Sequence, residues 1–166
     1  MEDKELTKQK ILVASDHAGF GLKEKLKTYL TSLGYEIEDK GAYEYNEEDD
    51  YPDFIIPLAR AVSQDPDKLR GIILGGSGQG EAMTANKFSN VRAAVYYGEG
   101  QLIVNEDNYS IIKLSREHND ANILSLGARF ITEDEMMRVV REWLNTSFDP
   151  TSRHKRRLDK MNRIHE

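Results

Sequence analysis

Hydrophobic residues in the first half of the chain form short runs separated by segments with helical spacing. Residues 11–15 are an apolar run without alternation, typical of a strand buried on both faces of a sheet. After residues 16–17, leucines recur at helical spacing until Gly34, which suits a helix end. Residues 35–39 alternate as a second strand, and residues 51–53 open a second helix. The recurring leucines of the first helix are Leu22, Leu26, Leu30 and Leu33, and the predicted core positions of the second helix are Ile55, Leu58, Ala59 and Val62.

Strands and helices continue to alternate in the second half. Strands are predicted over residues 71–74, 91–96 and 122–126, and helices over residues 82–88, 110–117 and 133–144. This order predicts an α/β fold with a parallel, doubly wound sheet of about five strands and flanking helices. Ligands of such sheets bind at the carboxyl ends of the strands. Residues 16–17, 76–81 and 127–129 all follow predicted strands, so one site can draw on all three.

Composition narrows the range of functions. The 166 residues fit one domain, with a polar tail over residues 1–9 and a basic segment over residues 151–166. A net charge of −6 argues against nucleic-acid binding. No apolar run reaches the length of a membrane span and residues 1–10 lack a signal-peptide core, so a cytoplasmic protein without a membrane partner is expected.

The residues that commonly bind metals are sparse. The chain has no cysteine, which excludes disulfides, cysteine nucleophiles and thiolate–metal sites. Its four histidines are widely spaced and form no His-x-x-x-His or Glu-x-x-His pair. We therefore expect no bound metal.

The most informative segment is the glycine-rich turn after the third predicted strand. Gly75, Gly76, Gly78 and Gly80 leave backbone N–H groups unshielded, so these groups can converge on an anion. Glu81 follows at the start of a predicted helix. An anion site beside a carboxylate suits proton abstraction next to a carbonyl, where an enediolate must be stabilised. Taken alone, the turn also fits a plain connection or a cofactor phosphate cradle, although it matches neither the P-loop nor the Gly-x-Gly-x-x-Gly pattern.

The C-terminal segment is basic in an otherwise acidic chain. A solvated helix face is one interpretation of this segment. Phosphate capture is the other, because Arg153 and Arg157 are four residues apart and share one face of a helix.

Several short motifs occur in a fixed order along the chain. They are Ser15-Asp16-His17-Ala18-Gly19, Asp50-Tyr51-Pro52, the segment from Gly75 to Glu81, Ala85-Asn86-Lys87, the segment from Arg116 to Asp120, Gly127-Ala128-Arg129 and the segment from Arg153 to Arg157. Together, over roughly residues 11–160, their order and spacing resemble the ribose-5-phosphate isomerase B family. That family comprises metal-free sugar-phosphate isomerases with a Rossmann-like fold.

The resemblance implies a role for each matching residue. His118 would protonate the ring oxygen to open the furanose, and Asp16 would help to deprotonate the anomeric hydroxyl. Glu81 would carry the proton between C2 and C1. Backbone N–H groups of residues 76–80 would hold the enediolate oxygen. The residues implied to bind substrate are His17, Tyr51, Gly76, Ser77, Gly78, Gln79, Gly80, Asn119, Arg129, Arg153 and Arg157, with the phosphate at the three arginines, assisted by His17, and the hydroxyls at Asn119.

The resemblance also implies the reaction and the assembly. The reaction would interconvert ribose 5-phosphate and ribulose 5-phosphate without a metal or cofactor, in the pentose phosphate pathway of carbohydrate metabolism. In the family, the basic C-terminal segment serves the neighbouring subunit's site, so a homodimer or a tetramer is expected. A small-molecule sugar phosphate is the expected partner, with no nucleic acid.

The family divides by the base that moves the proton. One branch uses a cysteine where this chain has Gly75, and the other uses a glutamate that Glu81 matches. The lack of cysteine therefore does not count against activity. The chain is longer than typical members between Val95 and Arg116, and the extra loop over residues 98–108 would reshape the mouth of the site or a subunit contact.

Other functions remain open at this stage. The family includes hexose-phosphate isomerases, so another pentose or hexose phosphate is an alternative substrate. A non-catalytic phosphosugar-binding module would keep the arginines and the turn, yet need neither Glu81 nor His118. A nucleotide-binding regulatory domain would need an acidic, ribose-binding residue after the second strand. Asp39 lies near that position, but the turn after the first strand lacks the glycine pattern of such domains. Taken singly, residues 16–17 fit a helix cap and residues 118–120 fit a helix end.

Overall fold

The structure is a computed structural model that describes residues 9–100, 110–151 and 153–165. Most of the expected polar tail (residues 1–9) and of the expected extra loop (residues 98–108) lies outside the described residues. In the part that is described, no helix is both long and apolar enough to cross a membrane.

Five strands alternate with helices along the chain, as the sequence predicts. The strands are β1 (Lys10–Ser15), β2 (Ile37–Asp39), β3 (Leu69–Gly75), β4 (Ala93–Tyr96) and β5 (Ile123–Gly127). The α-helices are α1 (His17–Ser32), α2 (Tyr51–Gln64), α3 (Gln79–Ala85), α4 (Ile111–Glu117), α5 (Glu133–Asn145) and α6 (Arg153–Asn162), followed by a 3₁₀ turn at Arg163–His165.

The strands form one parallel sheet in the order β2-β1-β3-β5-β4. The chain adds β2 on one side of β1 and then returns to place β3 on the other side. The β1–β3 junction is therefore the point where the winding direction reverses, and ligands of such sheets bind beside it. The predicted α/β fold is confirmed.

The core lies in two layers, one on each face of the sheet. Alternate residues of a strand point to opposite faces, so Ile11 and Val13 join one layer while Leu12 and Ala14 join the other. Helices α1, α4 and α5 cover the first face, and α2 and α3 cover the second. Both faces of β1, β3 and β5 are covered, which explains why these strands are apolar without alternation.

Some of the predicted element boundaries need correction. The helix predicted over residues 82–88 begins three residues earlier, because Gly78 takes the left-handed conformation (φ 75°) at its N-cap. Leu33 is the C-cap of α1 and is 41% exposed, which agrees with the predicted helix end at Gly34. The second strand starts at Ile37 rather than residue 35, since the backbone N–H of Tyr35 bonds to Leu30 at the end of α1.

Candidate active site

Side chains from several elements meet beside the β1–β3 junction. Asp16 and His17 follow β1, Tyr51 begins α2, Glu81 lies in α3, and Arg129 follows β5. We call these five residues the carboxyl-end cluster, because β1, β3 and β5 all end with their carboxyl termini at this edge. The sequence prediction that one site can draw on all three strand ends agrees with this placement.

Glu81 is buried against the end of β3. Its side chain is 4% exposed, and a methyl group placed on Gly75 would lie 1.7 Å from its Oε1 atom. The Glu81 carboxylate therefore occupies the space that any side chain at position 75 would need. Burial raises the pKa of Glu81, and the negative charge of Asp16 raises it further. A carboxylate with a raised pKa is a stronger base, as proton abstraction requires.

The glycine turn brings two other side chains of the cluster close to its backbone. A methyl group on Gly76 would lie 3.2 Å from the Arg129 guanidinium carbon, and one on Gly80 would lie 2.7 Å from the Tyr51 hydroxyl. Gly78 needs its left-handed conformation, which glycine adopts without a steric penalty. Because Gly76 and Gly80 have no side chains, Arg129 and Tyr51 can pack against the backbone of the turn. The predicted binding residues Ser77 and Gln79 lie on the turn with their side chains exposed.

Asp16 has one carboxylate oxygen engaged and one directed elsewhere. Its Oδ1 accepts the backbone N–H groups of Ala18 at 3.0 Å and Gly19 at 3.3 Å, which caps helix α1. Its Oδ2 lies 4.0 Å from Nδ1 of His17. The cap interpretation and the site interpretation are therefore compatible, because they use different oxygens.

His17 is held by Asp49, a residue that the sequence analysis did not select. The Asp49 Oδ1 atom lies 2.7 Å from His17 Nδ1 and accepts the His17 backbone N–H at 3.0 Å. This hydrogen bond raises the pKa of His17, against the opposing effect of burial, and Asp16 adds to the increase. Asp49 lies in an acidic segment of similar residues, so no local signal in the sequence distinguishes it.

Atoms of Asp16, His17 and Asp49 lie within 4.8 Å of one another, a spacing that a metal ion could bridge. One oxygen of each carboxylate and Nδ1 of His17 are already hydrogen-bonded, however, and the His17–Asp49 hydrogen bond and the cap of α1 account for the arrangement without a metal ion. We therefore assign no metal to these residues. The metal-free expectation stays a prediction.

A second group of predicted site residues lies elsewhere. His118 ends α4 and stacks on His154 of α6, with ring centroids 4.0 Å apart and planes 11° apart. Asn119 lines a cavity of about 510 Å³ together with the end of the chain. We call His118, Asn119, Arg153 and Arg157 the amino-edge cluster. His118 and Asn119 precede β5, and the two arginines lie on α6. Helix α6 packs beside the residues that lead into β3, β4 and β5.

The two clusters lie at opposite edges of the sheet. His118 and Asn119 come before β5, whereas Arg129 comes after it. Five strand residues separate the two edges, a length of roughly 16 Å at about 3.3 Å per residue. Within one chain, the structure therefore does not bring His118, Asn119 or the α6 arginines to Glu81.

The arginines of α6 are available for a ligand. Lys155 on the same helix pairs with Asp159 at 2.8 Å. Among the residues that the structure describes, Arg153 and Arg157 have no carboxylate within 4.0 Å, and both are exposed. Burial lowers the pKa of His154, and the nearby charges of His118, Arg153 and Arg157 lower it further. His154 lies in the segment from Arg153 to Arg157, but no local pattern predicts its stacking on His118.

Comparison with known proteins identifies the family. Residues 11–161 match the family described as ribose/galactose isomerase. The chain is 37% identical over 150 residues to ribose-5-phosphate isomerase B of Mycolicibacterium paratuberculosis, covering 90% of this chain and 87% of that protein.

The chain belongs to the ribose/galactose isomerase family.

Solved structures of this family have the same fold. Ribose-5-phosphate isomerase B of Mycoplasma genitalium with bound ribulose-5-phosphate superposes with a TM-score of 0.84 at 35% identity, covering 94% of this chain and 95% of that one. The corresponding protein of Clostridium thermocellum gives a TM-score of 0.81 at 39% identity, covering 94% and 97%. The resemblance to this family that the motifs predicted is confirmed.

Proposed function

We propose that the chain is an aldose–ketose isomerase that interconverts ribose 5-phosphate and ribulose 5-phosphate. One observation carries the mechanism: a buried carboxylate, Glu81, sits against Gly75 at the end of the glycine turn. Both the relatives named above and the structure that holds ribulose-5-phosphate support the choice of a pentose phosphate.

Proton transfer is the central step. Glu81 removes the proton from C2 of the open-chain aldose, which leaves an enediolate. The backbone N–H groups of residues 76–80, with Ser77, stabilise the oxygen on which the negative charge develops. The proton of the C2 hydroxyl moves to the oxygen on C1, and Glu81 then returns its own proton to C1, which gives the ketose with its carbonyl at C2. Aldose and ketose have the same composition, so no electrons enter or leave, and no redox cofactor is needed.

Ring opening needs an acid and a base near the furanose. We assign the acid to His118, which protonates the ring oxygen, and the base to the free Oδ2 of Asp16, which receives the proton of the anomeric hydroxyl. His118 and Asp16 lie at opposite edges of one chain's sheet. We therefore propose that His118 acts on a site whose Asp16 and Glu81 belong to a neighbouring copy.

Substrate binding also uses the carboxyl-end cluster of one chain and the amino-edge cluster of another. Arg129 and His17 of the carboxyl-end cluster, joined by the exposed Arg153 and Arg157 of another subunit, bind the phosphate. Asn119 fixes the sugar hydroxyls, and Tyr51 borders the turn on its far side. A homodimer is the smallest assembly that completes such sites. The proposed dimer, like the expected cytoplasmic location, stays a prediction.

The test is an isomerase assay on a panel of pentose and hexose phosphates with a metal chelator present. We expect activity on ribose 5-phosphate and ribulose 5-phosphate that the chelator does not reduce. Preferred turnover of a hexose phosphate would overturn the choice of substrate. Binding of these sugars without turnover would favour a non-catalytic phosphosugar-binding module instead.

A further inference from the structure

The contact between His17 and Asp49 supports an inference that rests on the proposed function and extends it. A single oxygen of Asp49 accepts both the backbone N–H of His17 at 3.0 Å and its ring Nδ1 at 2.7 Å. The Asp49 side chain is only 7% exposed, so water competes little for this oxygen. The loop between β2 and α2 thereby fixes both the position and the orientation of the His17 ring.

We propose that Asp49 is a positioning residue that holds His17 as a cation for the substrate phosphate, beside Arg129. Asp49 itself does not touch the substrate. It acts through the imidazole ring.

Hydrogen-bond chemistry determines which nitrogen faces the ligand. An ionised carboxylate can only accept, so Nδ1 of His17 carries the proton that is donated to Asp49. Nε2 is then the nitrogen left for a ligand. A phosphate dianion also only accepts, so a ring that binds it through Nε2 must be protonated on both nitrogens. Asp49 favours this doubly protonated form.

The charged groups around His17 oppose one another. The hydrogen bond from Asp49 raises the pKa of His17, and Asp16, with Oδ2 at 4.0 Å, raises it too. Burial and the charge of Arg129 lower it. Tyr45 faces the ring edge-on at 6.4 Å. The ring is charged below its pKa and loses that charge as pH rises through it, so Asp49 extends the charged range upward in spite of Arg129.

The cost of burying Asp49 also favours a role in the site. Its Oδ2 atom is buried and has no hydrogen-bond partner among the described residues. A carboxylate buried with one oxygen unpaired costs folding free energy. A residue that served only the loop could be replaced by a smaller one without that cost.

A double-mutant cycle tests the proposal. Calorimetry at pH 7 measures the Kd of inorganic phosphate for the wild type, Asp49→Asn, His17→Asn and the double variant. We expect each single change to weaken binding by roughly tenfold, the effect of losing one charge-assisted contact. The double variant should bind no more weakly than His17→Asn, because Asp49 acts through His17. Independent, additive losses would overturn the proposal.

Glu47→Gln is the matched control, since it removes one negative charge from an exposed residue of the same loop. It should leave phosphate binding unchanged, and an equal loss in this variant would overturn the proposal. In the assay with ribose 5-phosphate, Asp49→Asn should raise KM while kcat stays within about twofold, as expected when only binding is lost. A selective fall in kcat would instead contradict a binding role.

A measurement on the wild type avoids any effect of the variants on folding. Nitrogen-15 NMR of the His17 ring, assigned by its loss in His17→Asn, should show Nδ1 protonated throughout a pH titration, with Nε2 losing its proton. An Nε2-protonated neutral ring would overturn the proposal. Neither this titration nor calorimetry depends on turnover. A wild type without isomerase activity would therefore refute the proposed function while leaving the two measurements to judge Asp49.

Discussion

The position of the Glu81 side chain depends on Gly75 having no side chain of its own. The Glu81 carboxylate fills the volume where a side chain at position 75 would begin. A cysteine at position 75, the alternative base that the family resemblance implies, would overlap with a glutamate placed as Glu81 is here. This overlap gives a physical reason for one base to replace the other rather than join it.

Replacement of the base tests its role directly. Glu81→Gln should lower kcat by about 10²–10⁴, the usual contribution of general base catalysis, while phosphate binding is retained. In the wild type, kcat/KM should fall as pH drops through the raised pKa of Glu81, because protonation removes the base. Glu81→Asp is the matched control: it keeps the charge but withdraws it by one methylene, and it should also lose most activity. Near-wild-type turnover of Glu81→Gln would disprove the assignment.

Gly75→Ala should impair catalysis without any change to the base itself. The added methyl group displaces the Glu81 carboxylate, and a shift of about 1 Å can cost about 10² in kcat. Gly21→Ala is the control, because a methyl group at Gly21 in α1 meets no atom within 4 Å. That variant should keep full activity and gain about 0.5–1 kcal/mol in the free energy of unfolding. Full activity of Gly75→Ala in steady-state assays would show that the carboxylate is not fixed there.

At the scale of elements, a buried ion pair joins α1 to the end of β2. Lys23 of α1 is fully buried, and its Nζ bonds to both oxygens of Asp39 at 2.8 and 3.0 Å and to the carbonyl of Ala42. Burial alone would raise the pKa of Asp39, but hydrogen bonds from Lys23, Lys27 and the Gly41 amide lower it overall. The pair holds the start of the loop that carries Asp49. It explains Asp39 as a structural residue rather than a ribose-binding one.

Breaking this pair should be costly. Asp39→Asn removes the main partner of the buried Lys23 charge, leaving the Ala42 carbonyl and the half-exposed Glu24, and should lower the free energy of unfolding by about 3 kcal/mol at pH 7. Glu36→Gln, which removes an exposed partner of Lys10, should change it by less than about 0.5 kcal/mol. Urea denaturation at one protein concentration measures both.

The pH dependence of stability checks the same pair. The pKa of Asp39 is lowered in the folded protein. Its contribution to the free energy of unfolding is therefore complete above its unfolded-state pKa of about 4 and is lost as pH falls through its folded-state pKa. Asp39→Asn should lack this contribution. Equal free energies of unfolding for Asp39→Asn and Glu36→Gln at pH 7 would show that the Lys23–Asp39 pair makes no net contribution to stability.

At the scale of the whole molecule, the two clusters lie too far apart to serve one substrate within one chain. The carboxyl-end cluster contains the proposed base, and the amino-edge cluster contains the proposed ring-opening acid and two arginines. Two copies related by a two-fold axis would each lend the second cluster to the other and complete two equal sites.

Mixing inactive subunits tests this arrangement. A dimer of one Glu81→Gln chain and one His118→Asn chain has one site with both clusters intact. Random mixing should therefore restore about a quarter of wild-type activity, since about half of the dimers are mixed and each has one working site. The same experiment with Arg153→Ala/Arg157→Ala in place of His118→Asn should give the same result.

A poisoning experiment is the control. A chain that carries both Glu81→Gln and His118→Asn should inactivate wild-type partners, because each site of the mixed dimer then contains one defective cluster. Sites contained within single chains would produce neither effect: mixing would restore nothing, and the double variant would leave its partner active. Native mass spectrometry verifies that mixed dimers form in each case.

The sequence alone determined the order of elements, the parallel sheet and the residues of the glycine turn. These features depend on local patterns: apolar runs for strands buried on both faces, helical spacing of leucines, and glycines where a side chain would not fit. The pattern also placed Asp16, Glu81 and Arg129 at one edge of the sheet, because parallel strands end together there. Helix boundaries were less certain, as the start of α3 at Gln79 shows, since a left-handed Gly78 began the helix earlier than the apolar pattern indicated.

Only the tertiary structure decided which of these residues can act together. The separation of His118 from Glu81 depends on the route of the chain across the sheet, which no motif spacing expresses. The choice of Asp49 among many acidic neighbours depends on how the loop folds over the start of α1. The need for glycine at position 75 depends on a side chain six positions later that folds back onto it. Each is a spatial relation between segments whose relative placement is set by the packed core, so local sequence carries no signal for it.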